Sequence, residues 1–390
     1  MLGSVIHRCF AKLYTWGASA SSLGHEKTVT TTSINLPKLL EIPEPISKCV
    51  LGPNHSALIS ESGNLYTFGS GSNGKLGHDN EDRLQTPTKI ESLAKLELKI
   101  KDVAIGAHHT VILTTDGEVW TMGFGGELAG GFIRSLFSQK GGGLGHGDYK
   151  DKFVPTVILQ LKEHEDIVQI SAGTYHSMAL GASGSLYVWG KGEMGVLGTG
   201  RSKTYLNPTK NSFFEYFINQ GIKAKKISTC GYSNMVLMDN GKLLVWGWNE
   251  VGQLALGNYV RADMYDTERS PIEPNFFMDM NLKDFELGEE CSIFLTEDDK
   301  VYYAGIRLHR EPIELRVPEG AKIKKIFACK KAGGYLTEDG RVYSLGNLFA
   351  GKYMEEDVEL RLWKVKSEAF HDLVVEDIGG ASQNHYCFLR

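Results

Sequence analysis

The chain has 390 residues, 42% hydrophobic and 23% charged, the make-up of an ordinary globular protein. Lys plus Arg number 42 against 47 Asp plus Glu, a net charge of −5, which excludes a global basic field for nucleic acid. No run of roughly eighteen apolar residues occurs, which excludes a membrane-spanning helix, and 45 glycines against 11 prolines point to many short strands joined by tight turns.

The first dozen residues lack the apolar run of a secretory leader. They carry Arg8 and Lys12, and no acid precedes Glu26. Residues 1–12 are therefore expected to be a leader of mitochondrial type, with the cytoplasm as the alternative compartment. The six cysteines, Cys9, Cys49, Cys230, Cys291, Cys329 and Cys387, never fall in a CxxC spacing, so neither a zinc ribbon nor a redox pair is expected.

From residue 13 the chain repeats itself. An apolar-aromatic strand ending in glycine reads Leu13-Tyr14-Thr15-Trp16-Gly17 and Leu65-Tyr66-Thr67-Phe68-Gly69. Further copies end at Gly123, Gly190 and Gly247, and two weaker ones at Gly305 and Gly346, at spacings of 41 to 67 residues. A second signature precedes each strand, as in Gly52-Pro53-Asn54-His55-Ser56, Gly106-Ala107-His108-His109-Thr110 and Gly173-Thr174-Tyr175-His176-Ser177. Weaker copies begin at Gly231, Gly288, Cys329 and Gly380. Turns such as Glu61-Ser62-Gly63 and Thr115-Asp116-Gly117 separate the two and read as hairpins.

Each unit is thus an antiparallel meander that cannot bury both faces alone, whereas seven packed radially can. The expected fold is all-β, a seven-bladed propeller over residues 13–390. The first strand, at Leu13 to Gly17, lacks its preceding partner. The last element, from Gly380, lacks its follower. The two are expected to pair in one blade, closing the ring and removing an open edge.

Between units, Gly69 to His78 reads GSGSNGKLGH, Gly190 to Gly198 reads GKGEMGVLG, Gly247 to Leu254 reads GWNEVGQL and Leu144 to Asp148 reads LGHGD. Return-strand prolines stand at Pro87, Pro155 and Pro208. These units resemble the repeats of the regulator of chromosome condensation family, strongly through the first five and more weakly around residues 280 to 375. The resemblance implies a platform for other proteins. The founding member is an exchange factor for a small GTPase that contacts chromatin, and others are modules of ubiquitin ligases or mitochondrial assembly proteins.

Two patterns invite a chemical reading. Gly69 to Gly74 and Gly190 to Gly195 are formal GxGxxG motifs, but turn-rich sequence follows where a dinucleotide site needs a helix. They are read as turn glycines. His55, His109 and His176 recur at one repeat position, and in a propeller such positions lie apart on different blades. They are read as structural histidines bonding within their own blades, not as a metal ring. Trp16, Trp189 and Trp246 are expected in the core between blades. No catalytic residue, cofactor site or metal site is expected, and the protein is read as a non-enzyme.

Departures from the repeat are more telling. The interval from strand-end glycine to the leucine of the LG turn is seven residues at Gly69, Gly190 and Gly247 but twenty-one at Gly123, a fourteen-residue insertion within residues 125–143. Its centre, Phe132, Ile133, Arg134, Leu136 and Phe137, is apolar and basic and is the candidate partner-binding loop. The alternative is a loop folded back over its own propeller face. A second excursion occupies residues 259–281. Lys223, Lys225 and Lys226, and Lys322, Lys324, Lys325, Lys330 and Lys331, form small basic clusters, read first as solvated faces and second as contacts for an acidic partner or a membrane surface. The function expected is a non-catalytic scaffold that binds a protein partner or sits in a larger, mitochondrial assembly. Exchange activity toward a small GTPase is the alternative. Nucleic acid is not an expected partner, and membrane contact would be peripheral.

Overall fold

A computed structural model describes residues 12–26, 33–126, 141–257, 266–345, 361–363, 374–381 and 384–389. These residues form seven four-stranded antiparallel sheets. Blade 1 runs Ile46–Leu51, His55–Ser60, Leu65–Gly69 and Leu84–Lys89, in sequence order across the sheet. Blades 2 to 6 repeat this plan, with first strands Ile100–Ile105, Ile167–Ala172, Ala224–Cys230, Leu282–Leu287 and Ile323–Ala328. The weakly patterned units around residues 280 to 375 are therefore full blades 5 and 6.

Blade 7 is built from both ends of the chain. Its order is Ile34–Leu39, Lys12–Gly17, Asn384–Leu389, Val375–Ala381. The seam runs antiparallel and in register from Lys12↔Leu389 to Gly17↔Asn384. The first strand of every blade touches the first strand of the next, from blade 1 to blade 7 and back to blade 1. The first strands are thus the inner wall of a closed ring, and the seven-bladed reading holds.

In each meander the turns after the first and third strands emerge on one face, called here the loop face. The turns after the second strand and the crossings to the next blade emerge on the other, the helix face, where the crossings carry the short helices Glu91–Lys95, Leu159–Lys162 and Ser212–Asn219. The second strands His55–Ser60, His109–Thr114, His176–Gly181, Ser233–Met238 and Cys291–Thr296 are buried at every position. A strand covered on both faces has no solvent side, so its middle reads as an apolar run, while the polar residues at its ends, such as His55, Ser56 and Ser60, are buried as well. Between blades lie apolar layers, as where Trp246, Phe214, Met178 and Val236 pack at the junction of blades 3 and 4. Trp189 and Trp246 are wholly buried, and their indole N–H groups donate across the junction to the carbonyls of Gly143 and Val196, both at 2.9 Å.

The formal GxGxxG segments are turns. Gly74 and Gly195 have φ of 76° and 68°, and a Cβ on Gly71 or Gly192 would lie 2.0 Å from the carbonyl oxygen of Asp82 or Lys203 on the returning chain. The glycines are there because two backbones touch. The second excursion, residues 259–281, contains the fourth strand of blade 4, Thr267–Ile272, and the short helix Asn275–Phe277. Phe277 is buried against Phe294 at 4.7 Å between ring centres.

Trp16 lies in the seam strand and is buried among Phe327, Cys329 and Leu336 of blade 6. Trp16→Ala is expected to lower the unfolding free energy by about 3–5 kcal/mol. Urea denaturation reads this, and a loss below roughly 1 kcal/mol would show that the seam is not held by this packing.

Candidate functional site

The ring is tied together by two polar systems that occupy its interfaces and leave its loop face to do other work. In the first, the repeated histidines are not bonded within their own blades, as the sequence suggested. Each reaches into the next blade. His55 Nε2 meets Thr110 Oγ1 at 2.7 Å, His109 Nε2 meets Ser177 Oγ at 2.8 Å, and His176 Nε2 meets Asn234 Oδ1 at 2.8 Å. Thr110 and Ser177 in turn donate to the carbonyls of Lys75 and Gly143, at 2.8 and 3.1 Å. A hydroxyl that donates onward must accept from the imidazole, so Nε2 carries the proton in each ring. Nδ1 of His55 and His176 is then a bare acceptor, buried without a hydrogen-bond partner. Burial holds the His176 imidazole down to about 4 and His109, with His176 beside it, down to about 3.

The second system lines the inner wall. Lys48 pairs with Asp102 at 2.6 Å, Lys226 with Asp284 and Glu286 at 2.7 Å each, and Lys325 with Asp377 at 2.6 Å, each pair joining neighbouring blades. Gln169 fills the same register position in blade 3, exchanging hydrogen bonds with the backbone N–H and C=O of Ile227 at 2.9 and 3.0 Å. Burial lowers the Lys226 ammonium, but Glu286 and Asp284 outweigh it and hold the group above its ordinary value. Lys226 and Lys325 therefore leave the basic clusters seen in the sequence: they are bonds between blades. Lys330 and Lys331 are also matched, by Glu289 and Glu290 at 3.5 to 3.8 Å.

Among the described residues the thiols offer no nucleophile. Cys329 Sγ lies 3.3 Å from His385 Nδ1, but burial pushes the thiol well up and the imidazole down to about 4, so the pair is uncharged. Burial likewise raises Cys291 to about 12. Among the described residues no three His, Cys, Asp or Glu side chains gather to hold a metal ion.

What remains open is a collar on the loop face, made by the turns between first and second strands. These turns are chained by backbone bonds: Ala107 N–H donates to Gly173 O at 3.3 Å, Thr174 N–H to Gly231 O at 2.9 Å, and Glu290 N–H to Lys330 O at 2.9 Å. On the arc of blades 2 to 4 the collar presents rings. His108 stacks on Tyr175 at 4.6 Å and 4° between planes, and Phe124 stands 6.1 and 6.3 Å from the two. Lys191 Nζ lies 5.3 Å from the Tyr175 ring centre and 2.7 Å from Glu193. His108, Phe124 and Tyr175 are all half-buried. On the arc of blades 5 and 6 the collar is charged, with Glu289, Glu290, Lys330 and Lys331.

The insertion departs from the aromatic arc. Its described ends, Gly126 and Gly141, are pressed together: a Cβ on Gly126 would lie 2.5 Å from the Gly141 carbonyl carbon, and one on Gly141 would lie 3.3 Å from the Phe124 ring. Phe132, Ile133, Arg134, Leu136 and Phe137 lie outside the described residues. The sequence reading missed the collar itself. His108 and Tyr175 stand next to the recurring histidine in the second signature, but Asn54 holds that place in blade 1 and Tyr232 in blade 4, so no single residue type marks it.

The RCC1-like domain family model matches residues 10–311. The ultraviolet-B receptor UVR8 of Arabidopsis thaliana is 29% identical over 298 residues, 75% of this chain and 60% of that protein. The human E3 ubiquitin-protein ligase HERC2 is 29% identical over 303 residues, 74% of this chain but 6% of that protein. The matched stretch thus falls short of two thirds of either relative. Among solved structures, Prp20p of Saccharomyces cerevisiae superposes with a TM-score of 0.76 at 21% identity, over 97% of this chain and 91% of that one. Human WBSCR16 superposes with 0.75 at 17% identity, over 97% and 99%. At these identities the structures share the fold.

The imidazoles between blades set an acid limit. An unfolded histidine takes a proton below about pH 6.5, whereas buried His176 resists until about 4. Its stabilising effect is complete above the unfolded value and is lost as pH falls from there toward the folded one. At about 1.4 kcal/mol per pH unit that is roughly 3 kcal/mol for one ring. Melting temperature followed from pH 7 to 4 is expected to fall steadily, with a shallower slope in His176→Gln. Equal slopes would remove His176 as a cause.

Proposed function

This chain belongs to the RCC1-like domain family, and we propose that it is a non-catalytic propeller platform whose loop-face collar binds a protein partner. The observation that carries this reading is the half-exposed stack of His108, Tyr175 and Phe124 beside the pinched base of the insertion. Aromatic side chains held rigidly by backbone bonds offer large contact area at small entropic cost, which is the character of interface anchors. The insertion would add the apolar and basic residues Phe132, Ile133, Arg134, Leu136 and Phe137 to the same arc. Membership of a larger assembly, and residence in mitochondria on the strength of Arg8, Lys12 and the acid-free N-terminal stretch, belong to this proposal. So does the absence of an active site on the propeller itself, since ligase relatives such as HERC2 are far longer than the matched stretch.

The second reading is exchange activity on a small GTPase. The solved structure of Prp20p is described together with that protein's binding to Gsp1p and histones, which favours testing a GTPase here. An exchange factor needs no acid, base or nucleophile, only a surface that binds the nucleotide-free state more tightly than the loaded one. A rigid collar satisfies that requirement as well as a scaffold's.

Affinity purification of the tagged protein from its own cells separates these readings. A large stoichiometric complex is expected. Phe124→Ala/Tyr175→Ala, and separately Phe132→Ser/Ile133→Ser/Phe137→Ser, should each cut recovery at least about tenfold with unchanged melting temperature, the loss typical of hot-spot aromatics. Full recovery from both variants would refute the collar. Recovery of a GTPase alone, released by GTP and discharging GDP faster in the presence of this protein, would establish the second reading.

A further inference from the structure

Among the described residues Lys75 is the only buried lysine or arginine, at 3% exposure. It stands in the turn after Leu65–Gly69, the third strand of blade 1, which emerges on the loop face. Its backbone ties blade 1 to blade 2, because the carbonyl accepts from Thr110 Oγ1 at 2.8 Å. Gly143, Val196 and Gln253 hold the same place in the next three units. Their carbonyls accept across the following junction in the same way, from Ser177, Trp246 and Ser292. The junction therefore needs a carbonyl at this place and no particular side chain.

The side chain is left for another use. Its ammonium donates to Ser72 Oγ at 2.8 Å and has no carboxylate partner among the described residues. Less deeply buried cations do have one: Lys191, Lys226, Lys325 and Arg310 each meet a carboxylate at 2.6 to 2.9 Å. An ammonium taken out of water without a counter-charge costs stability. Burial, with Arg83 nearby, holds the Lys75 ammonium below its ordinary value. Burial first and the Lys75 charge second lower the imidazoles of His55 and His108. The Lys75 stem and the His108 carbonyl flank Gly123, where a Cβ would lie 3.1 Å from Lys75 Cβ and 2.7 Å from His108 O. Phe124 N–H donates to that same carbonyl at 3.0 Å. Lys75 thus borders the blade 1 end of the stack of His108, Tyr175 and Phe124. Ser72 is exposed, and since its oxygen accepts from Lys75, its hydrogen is left for Ser70 Oγ at 3.1 Å or for an incoming oxygen.

We propose that the collar seats a carboxylate of its protein partner, an Asp or Glu side chain received by Lys75 Nζ and Ser72 Oγ, with an aromatic or aliphatic neighbour laid against His108, Tyr175 and Phe124. One ammonium and one neutral donor match a single negative charge spread over two oxygens. This rests on the collar reading above, and the test separates the two. A phage-displayed library of random linear peptides is selected on the immobilised full chain, and the selected peptides are measured by fluorescence anisotropy. They are expected to carry Asp or Glu next to an aromatic or aliphatic residue, and to bind Lys75→Met at least about tenfold more weakly, the loss typical of a hydrogen bond to a charged group. Replacing the peptide's acid by its amide should cost a similar factor with the unaltered chain and little with Lys75→Met, since both changes break the same contact. Lys95→Met, on the helix face, should leave affinity unchanged. Lys75→Met removes a charge with no counter-charge, so its melting temperature should equal or exceed that of the unaltered chain. A lower one would make the ammonium a structural bond and overturn the proposal. Peptides that need Phe124 and Tyr175 but carry no acid, or that bind Lys75→Met equally well, would overturn the carboxylate site and leave the collar standing. Peptides indifferent to Phe124→Ala/Tyr175→Ala, or none recovered, would overturn both.

Discussion

The antiparallel pairing of Lys12–Gly17 with Asn384–Leu389 governs everything else in this molecule. A row of blades that does not close ends in two sheet faces and two open edges, each of which draws in water or another chain. One register of six paired residues removes all of them at once. Closure then fixes the angle between blades. That angle sets the short distances from His55, His109 and His176 to the blades that follow, and the ion pairs along the inner wall. These polar bonds are local, repeated and individually modest. Their effect is to make each interface directional, where apolar packing alone would allow blades to slide.

Most of the fold was legible in the sequence because a repeated meander repeats its constraints. Glycine must stand at positions 71 and 192 because a carbonyl approaches there, and the middle of the second strand must be apolar because both its faces are covered. The phase of the two end strands then announced the seam. The weak pattern around blades 5 and 6 reflects substitutions that keep volume and burial while losing the signature residues, as where Cys291 takes the place of histidine and bonds through sulfur to the Cys329 carbonyl at 3.6 Å.

The interfaces and the site were less legible, for a reason of distance. Lys226 finds Asp284 58 residues away, and Lys325 finds Asp377 52 residues away, so a linear reading sees only lysines beside lysines. Recurrence of histidine could be seen, but not that its acceptor is a threonine, a serine or an asparagine in the following blade. The collar is harder still. Its residues sit where the repeat tolerates anything that fits a turn, and only the assembled ring brings His108, Phe124 and Tyr175 into one stack.

The seam has one more implication, for how such a ring can be carried. Lys12 and Leu389 are paired residues, so the path into the propeller and the path out of it lie side by side in neighbouring strands of one blade. A module built this way adds bulk to a polypeptide without adding span: whatever flanks it on either side is kept within a few ångströms. It behaves as a bead clipped onto a thread, not as a rod spliced into it. That geometry suits a fold whose likeness occupies 6% of a protein such as HERC2, and it makes the ring portable among architectures with no need to retune the parts around it.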